Sequence, residues 1–197
     1  MAAILPEEAA ALVAAASRGD SRAWEKLVDA YVGLIWAVTR SYRLSDGDAH
    51  DVSQTTWLRL VENIGRLTDP SRVGAWLATT ARRECLRVLR QSNRSTVLHD
   101  WKELDLVDPA AQDIDAEFLR TEQGDAVRSA VAQLSPPCQA LLQLLMIDPP
   151  PSYEEVSAAL GVPVGSIGPT RGRCLRKLEA LMEAAVSAGG PTASVPG

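Results

Sequence analysis

Two histidines and three cysteines are all that these 197 residues offer as imidazole and thiolate metal ligands. Cys85, Cys138 and Cys174 are odd in number and far apart, at neither zinc-site nor disulfide-framework spacing. Each lies in a helical pattern with apolar neighbours, so three buried free thiols in a reducing cytoplasm are expected. His50 and His99 stand apart, and no metal-ligand cluster, phosphate loop or nucleophile motif is visible. The sequence therefore predicts a protein that is not an enzyme and needs no cofactor or metal. Aromatic residues make up 5%, with Phe118 the sole phenylalanine. No stretch approaches the ~20 uncharged apolar residues of a membrane span, so no membrane insertion is expected. Met1–Ala16 is alanine-rich but carries Glu7 and Glu8 and no basic leader, which fits an amphipathic first helix better than a signal peptide.

The residues present favour helix. Hydrophobic content is 46%. Alanine, leucine and arginine dominate, and β-branched runs are scarce, so an all-α fold is expected. The net charge of −5 taken alone argues against a nucleic-acid partner. Its distribution reverses that. Residues 17–94 hold 13 Lys/Arg against 9 Asp/Glu, residues 95–126 hold 2 against 9, and residues 127–182 hold 5 against 4. A basic block, an acidic connector and a near-neutral block predict two small helical domains joined by a flexible acidic linker. The boundaries fall at about 9–94, 95–123 and 124–183, with a Gly/Pro/Ser-rich tail over 184–197 expected to be disordered.

In the first block, apolar residues at helical spacing predict helices over Ala23–Arg40, Asp48–Ile64 and Val73–Arg90. Ser45-Asp46-Gly47-Asp48 and Thr68-Asp69-Pro70-Ser71 punctuate them. The linker contains one short helical pattern near Ile114–Thr121. In the last block, Ser135-Pro136-Pro137 opens a helix over Cys138–Ile147, which Asp148-Pro149-Pro150-Pro151 ends. Ser152 and Glu155 form a capping box. A short helix reaches Leu160, Gly161 turns the chain, and a longer helix runs over Val164–Met182. Short helix, glycine turn and longer basic helix make a helix-turn-helix pattern.

Three helix faces carry functional information. On Val73–Arg90, at about 100° per residue, Leu77, Ala81, Cys85, Val88 and Leu89 form an apolar side. Arg83, Arg87, Arg90 and Arg94 line the opposite side. Aligned guanidiniums repel one another unless they meet anions, and successive phosphates of one strand are suitable partners. On Asp48–Ile64, Trp57, Leu60, Val61 and Ile64 are expected to face the core. Asp51, Thr55, Leu58 and Glu62 line the other side, with Gln54 at its margin, a mixture suited to a protein contact that needs burial and charge pairing. On Val164–Met182, Ile167, Cys174, Leu178 and Leu181 form the buried stripe. Gly165, Gly168, Pro169, Gly172, Arg173 and Arg176 lie outside, and glycines there allow close backbone approach to a groove wall.

These residues resemble a known family. Trp24–Arg90, especially "DAHDVSQTTWLRLVENI" followed by "GAWLATTARRECLRVLR", resembles region 2 of the extracytoplasmic-function sigma factors of the sigma-70 family. "LSPPCQALLQLLMIDPPPSYEEVSAALGVPVGSIGPTRGRCLRKLEALM" resembles their region 4. The resemblance implies binding to the largest catalytic subunits of core RNA polymerase and to promoter DNA, with an anti-sigma factor as a further partner. It places Asp51, Gln54, Thr55, Leu58 and Glu62 on polymerase. It places the Arg66–Gly74 loop with Arg72, Trp76, Arg83, Arg87, Arg90 and Arg94 on the melted −10 strand. The second helix of region 4 would enter the −35 major groove. There Gly168, Pro169, Gly172 and Arg171 depart from the commoner family pattern. Arg173 is the candidate for a guanine contact, Ser166, Thr170 and Arg176 for phosphates, and Pro169 for a thymine methyl. The competing reading is a stand-alone helix-turn-helix regulator whose first domain binds an effector or dimerises.

Overall fold

The computed structural model describes residues 4–91 and 122–188. The linker helix expected near 114–121, Arg94 and residues 189–197 of the expected tail lie outside the described residues, while residues 184–188, expected to belong to a disordered tail, continue the last helix. The regular elements of the described residues are all helical, and no strand forms among them. Eight helices follow in order: α1 (Pro6–Ala16), α2 (Ser21–Ser41), α3 (Asp46–Asn63), α4 (Val73–Gln91), α5 (Glu122–Ala132), α6 (Pro136–Leu145), α7 (Tyr153–Leu160) and α8 (Val164–Ala188). Two 3-10 turns, Ile64–Arg66 and Pro70–Arg72, join α3 to α4.

Local chemistry sets the boundaries. Gly19 turns the chain at φ +91°, and the Asp20 carboxylate then accepts from the amides of Arg22 at 2.9 Å and Ala23 at 3.2 Å. This cap starts α2 two residues ahead of the apolar periodicity. Ser45 caps α3 by accepting from the Asp48 amide. Asp69 accepts from the Ser71 amide and hydroxyl and shapes the break before α4. The Ser152–Glu155 capping box is present in both directions, at 2.7 and 3.2 Å. Gly161 ends α7 in the left-handed region at φ +71°, a conformation that disfavours a side chain.

α1 to α4 form the first lobe. Leu27, Ile35, Val38, Val52, Leu60, Val73, Leu77 and Ala81 are fully enclosed. Ala9 and Val13 of α1 close this core from one side. Trp24 meets Trp57 edge to face, with ring centroids 6.1 Å apart, and ties the start of α2 to α3. α5 to α8 form the second lobe around Leu141, Leu144, Val156, Leu160 and Ile167.

The two lobes share one continuous core. α7 lies along α4 in the most extensive helix pairing among the described residues, and α6 rests on α2. The α4 surface that admits α7 is made of small residues. Gly74 and Ala78, one turn apart, are buried, and a Cβ on Gly74 would collide with the Glu155 carboxylate. Ile147 approaches Gly33 of α2 so closely that a Cβ there would sit 3.2 Å from its methyl group. Polar contacts fasten the seam. The Tyr42 hydroxyl donates to the Ala159 carbonyl at 3.1 Å, and Arg43 donates to Gln139 Oε1 at 3.0 Å. The Arg82 guanidinium covers Gly161 at the C-terminus of α7, the negative end of that helix's dipole.

Two sequence expectations need correction. Cys138 and Cys174 are not free thiols: they form a disulfide between α6 and α8 with Cα atoms 5.4 Å apart. Residues 36 positions apart meet because these two helices cross there, which no spacing rule reveals. Cys85 is free and buried, as expected. Val61 does not face the core. It is 57% exposed, because the buried stripe of α3 runs through Ala49, Val52, Ser53, Thr56 and Leu60 instead.

Closing a loop of this length removes about 3–4 kcal/mol of unfolded-chain entropy. Denatured without reductant, the protein is expected to take up one equivalent of iodoacetamide per chain, and three after reduction. Mass spectrometry reads the difference, and three equivalents without reductant would exclude the staple.

Burial pushes the Cys85 thiol up to about 12 from its ordinary 9.0. Burial, and secondarily the Glu155 and Glu8 carboxylates, push the Tyr31 phenol up to about 12 from 10.0. Above about pH 9 the unfolded chain ionises these groups while the folded chain keeps them neutral. Stability is therefore full below pH 9 and falls as pH rises towards 12. The melting temperature is expected to decline over that window, less steeply in Tyr31→Phe. A flat profile, or an equal slope in the variant, would contradict this.

Candidate functional site

Three surfaces hold the residues singled out in the sequence. The first lies on α3. Asp51, Gln54, Leu58 and Glu62 are exposed and Thr55 is half-buried. Leu58 is 57% exposed. Val61, three residues on, stands beside it on the same helix face. The sequence reading missed Val61 because it counted the residue as core; its i+3 spacing from Leu58 was the available signal. Glu62 pairs with Arg59 at 3.4 Å, an exposed contact that leaves both charges accessible to a partner. The face thus offers an apolar pair within carboxylates and an amide, a composition fit for docking on a protein of opposite charge.

The second surface runs from the Pro70–Arg72 turn along α4. Arg83 is exposed and has no side-chain hydrogen bond or ion pair among the described residues. Arg87 is held by Glu84 at 2.6 Å and donates to Gln91 at 3.3 Å. Arg90 donates to the Leu86 carbonyl at 3.1 Å. The stripe is therefore partly neutralised and partly pre-oriented, with Arg83 the guanidinium left open. Trp76 is half-buried against the core, and its carbonyl accepts from Thr80. Arg72 does not join the stripe: its Nε donates to Glu154 of α7 at 3.0 Å.

The third surface is the outer side of α8. Gly165, Gly168 and Pro169 are exposed, as are Arg171, Arg173 and Arg176. A Cβ added at Gly165 or Gly168 would meet nothing within 4 Å. Internal packing therefore does not require these glycines. Each weakens the helix by about 1 kcal/mol, and Pro169 removes a further helical N–H donor. A surface that must come close to another backbone accounts for them. Thr170 accepts from Arg173 at 3.1 Å, which pre-orients that guanidinium. Ser166 turns its hydroxyl back to the Pro163 carbonyl at 2.7 Å. Among the described residues no group of three His, Cys, Asp or Glu could hold a metal, and no helix is long and apolar enough to cross a membrane.

Among the described residues, a basic α4 face, a mixed apolar and acidic α3 face and a helix-turn-helix in α7–α8 make a combination suited to binding DNA and docking on protein. The comparisons make this specific. The profile of sigma-70 region 2 matches residues 27–95. The chain is 27% identical to the RNA polymerase sigma-H factor of Pseudomonas aeruginosa over 180 residues, spanning 88% of this chain and 91% of that one. It is 29% identical over 190 residues to the probable RNA polymerase sigma-C factor of Mycobacterium bovis, spanning 89% and 90%. Its fold matches CnrH, solved in complex with the cytosolic domain of CnrY, with a TM-score of 0.56 and 23% identity over 89% of this chain and 97% of that one. Over nearly its whole length the chain is thus similar to RNA polymerase sigma factors, among them one of the extracytoplasmic-function class, and residues 27–95 carry the match to sigma-70 region 2.

The α3 face yields a direct test. Val61→Asp is expected to leave the melting temperature nearly unchanged, since surface substitutions stay within about 0.5 kcal/mol. It is expected to weaken binding to core RNA polymerase at least about tenfold, a value typical of an interface anchor. Fluorescence anisotropy with labelled protein measures this, and undiminished affinity would remove Val61 from the docking face.

Proposed function

We propose that this protein is the promoter-specificity subunit of a bacterial RNA polymerase and acts in the cytoplasm. Residues 9–94 serve as region 2 and residues 124–183 as region 4, with 95–123 as the connector and 184–197 as the tail. The α3 face docks on a largest catalytic subunit of the core enzyme through Asp51, Gln54, Thr55, Leu58 and Glu62, joined by Val61. Arg83 takes part in reading an opened −10 strand. Arg87, Arg90 and Arg94 track its phosphates, and Arg72 and Trp76 stand at the entrance. Region 4 holds duplex −35 DNA through α8, with Arg173 on a base edge, Ser166, Thr170, Arg171 and Arg176 on the backbone, and Gly168 and Pro169 against the groove. An anti-sigma factor is a further partner of this reading.

One observation carries it. The exposed Leu58–Val61 pair with Asp51 and Gln54, and the open Arg83, lie on neighbouring helices within the segment that matches region 2. A duplex-binding regulator whose first domain binds an effector or dimerises has no use for the arginine stripe of α4.

Asp51→Arg separates the two readings. It is expected to reduce co-purification with core polymerase and run-off transcription by about 10- to 100-fold, while duplex binding by α8 stays the same. Co-purification insensitive to Asp51→Arg would favour the stand-alone regulator.

A further inference from the structure

The outer side of α8 is rich in cations and poor in groups that can read a base. Residues 164–177 carry four Lys/Arg and no Asp or Glu. All four, Arg171, Arg173, Arg176 and Lys177, are exposed. At about 100° per residue, the side opposite the buried Ile167 is a ridge of Gly165, Pro169, Gly172 and Arg176. Gly165, Pro169 and Gly172 bring no side-chain donor or acceptor to it. Arg176, one turn further on, lies back over Gly172, its guanidinium 3.7 Å from where a Cβ would stand. The hydroxyls beside the ridge are engaged within the helix. Ser166 donates to the Pro163 carbonyl at 2.7 Å, and Thr170 accepts from Arg173 at 3.1 Å. The same geometry puts Arg171 on one flank of the ridge and Arg173 with Lys177 on the other.

We propose that this protein holds the −35 duplex by its shape and phosphates and reads at most one base there, so that promoter choice rests on the −10 element. The inference rests on the function proposed above. Base discrimination in the major groove needs side-chain donors and acceptors aimed at base edges. A ridge of glycine and proline aims none. Phosphate contacts set position and carry no sequence information. The bare ridge lets the α8 backbone sit close to the groove floor, and the flanking cations reach the phosphate walls on either side. Arg173, steered by Thr170, is the one side chain placed for a base edge, and guanine is the base its fork fits. Groove width and stiffness, which vary with sequence, supply the remaining selectivity.

Two measurements test this. The first uses the full chain alone, by anisotropy on a fluorescein-labelled random-sequence duplex at low salt. Gly168→Ala and Gly172→Ala fill space that the fold leaves open or in ordinary contact. Each is expected to raise the melting temperature by a few degrees, because alanine favours helix. Each is also expected to weaken duplex binding about fivefold, because the added methyl holds the backbone off the DNA. Stabilised variants with undiminished duplex affinity would overturn the proposal. The second measurement is transcription by core polymerase with this protein on promoters randomised across both elements, read by sequencing the transcripts. One −35 position is expected to prefer guanine by about tenfold, and Arg173→Ala to flatten that preference, while the other upstream positions vary less than about threefold. Preferences of about tenfold at two or more −35 positions would also overturn it. If the alanine variants lose duplex affinity but no promoter is transcribed, the sigma-factor reading fails and the shape-reading mode of α8 stands.

Discussion

The contact of α7 with the small-residue side of α4 organises the molecule. A helix can lie this close only where its neighbour lacks side-chain bulk, and Gly74 and Ala78 provide that place. Once α7 is seated, its Ala159 carbonyl accepts from Tyr42, Arg82 lies over Gly161 at its end, its acidic first turn reaches Arg72, and α6 comes to rest on α2. The continuous core follows from the same contact, because Val156, Ala159 and Leu160 of α7 join Leu77, Ala78 and Ala81 of α4 in one cluster. A side chain at Gly74 would displace all of these together.

The surfaces left outside this core divide the work by chemistry. α3 exposes an apolar pair flanked by acid and amide, which suits a desolvated protein contact. α4 exposes one open arginine beside two that are already oriented by their own helix, which suits a phosphate backbone with limited reading of bases. α8 combines arginines with glycines that no internal contact requires, which suits close approach to duplex DNA more than dense base readout. The disulfide between α6 and α8 fixes the helix that carries this last surface. In the reducing compartment proposed for the protein such bonds are uncommon, so the chain's oxidation state bears directly on how rigidly α8 is presented.

Much of this was legible in the residues. The capping box at Ser152, the break at Asp69-Pro70 and the periodicities of α2, α4 and α8 are local, and local rules found them. The start of α2 was misplaced because its signal is the Asp20 cap, which lies outside the apolar period. Val61 was misassigned for a related reason. On a half-exposed helix, hydrophobicity alone cannot say whether a residue near the stripe edge faces its own core or a partner. Here Thr56 and Ser53 occupy the buried face, their neighbourhood made tolerable by backbone acceptors such as the Val52 carbonyl for Thr56.

By itself, the sequence determined the helical class, the helix-turn-helix and the chemical character of three exposed faces. Each of these depends on interactions within about one helical turn, or on composition summed over a segment. The tertiary structure alone decided that the lobes share a core, that Cys138 meets Cys174, that Gly33 and Gly74 are sites of close approach, and that Arg72 faces Glu154 across the seam. These pair residues 36 or more positions apart, and no periodicity encodes such distances. They depend on which small faces fit which helices, a property of shape that exists only once the chain has folded.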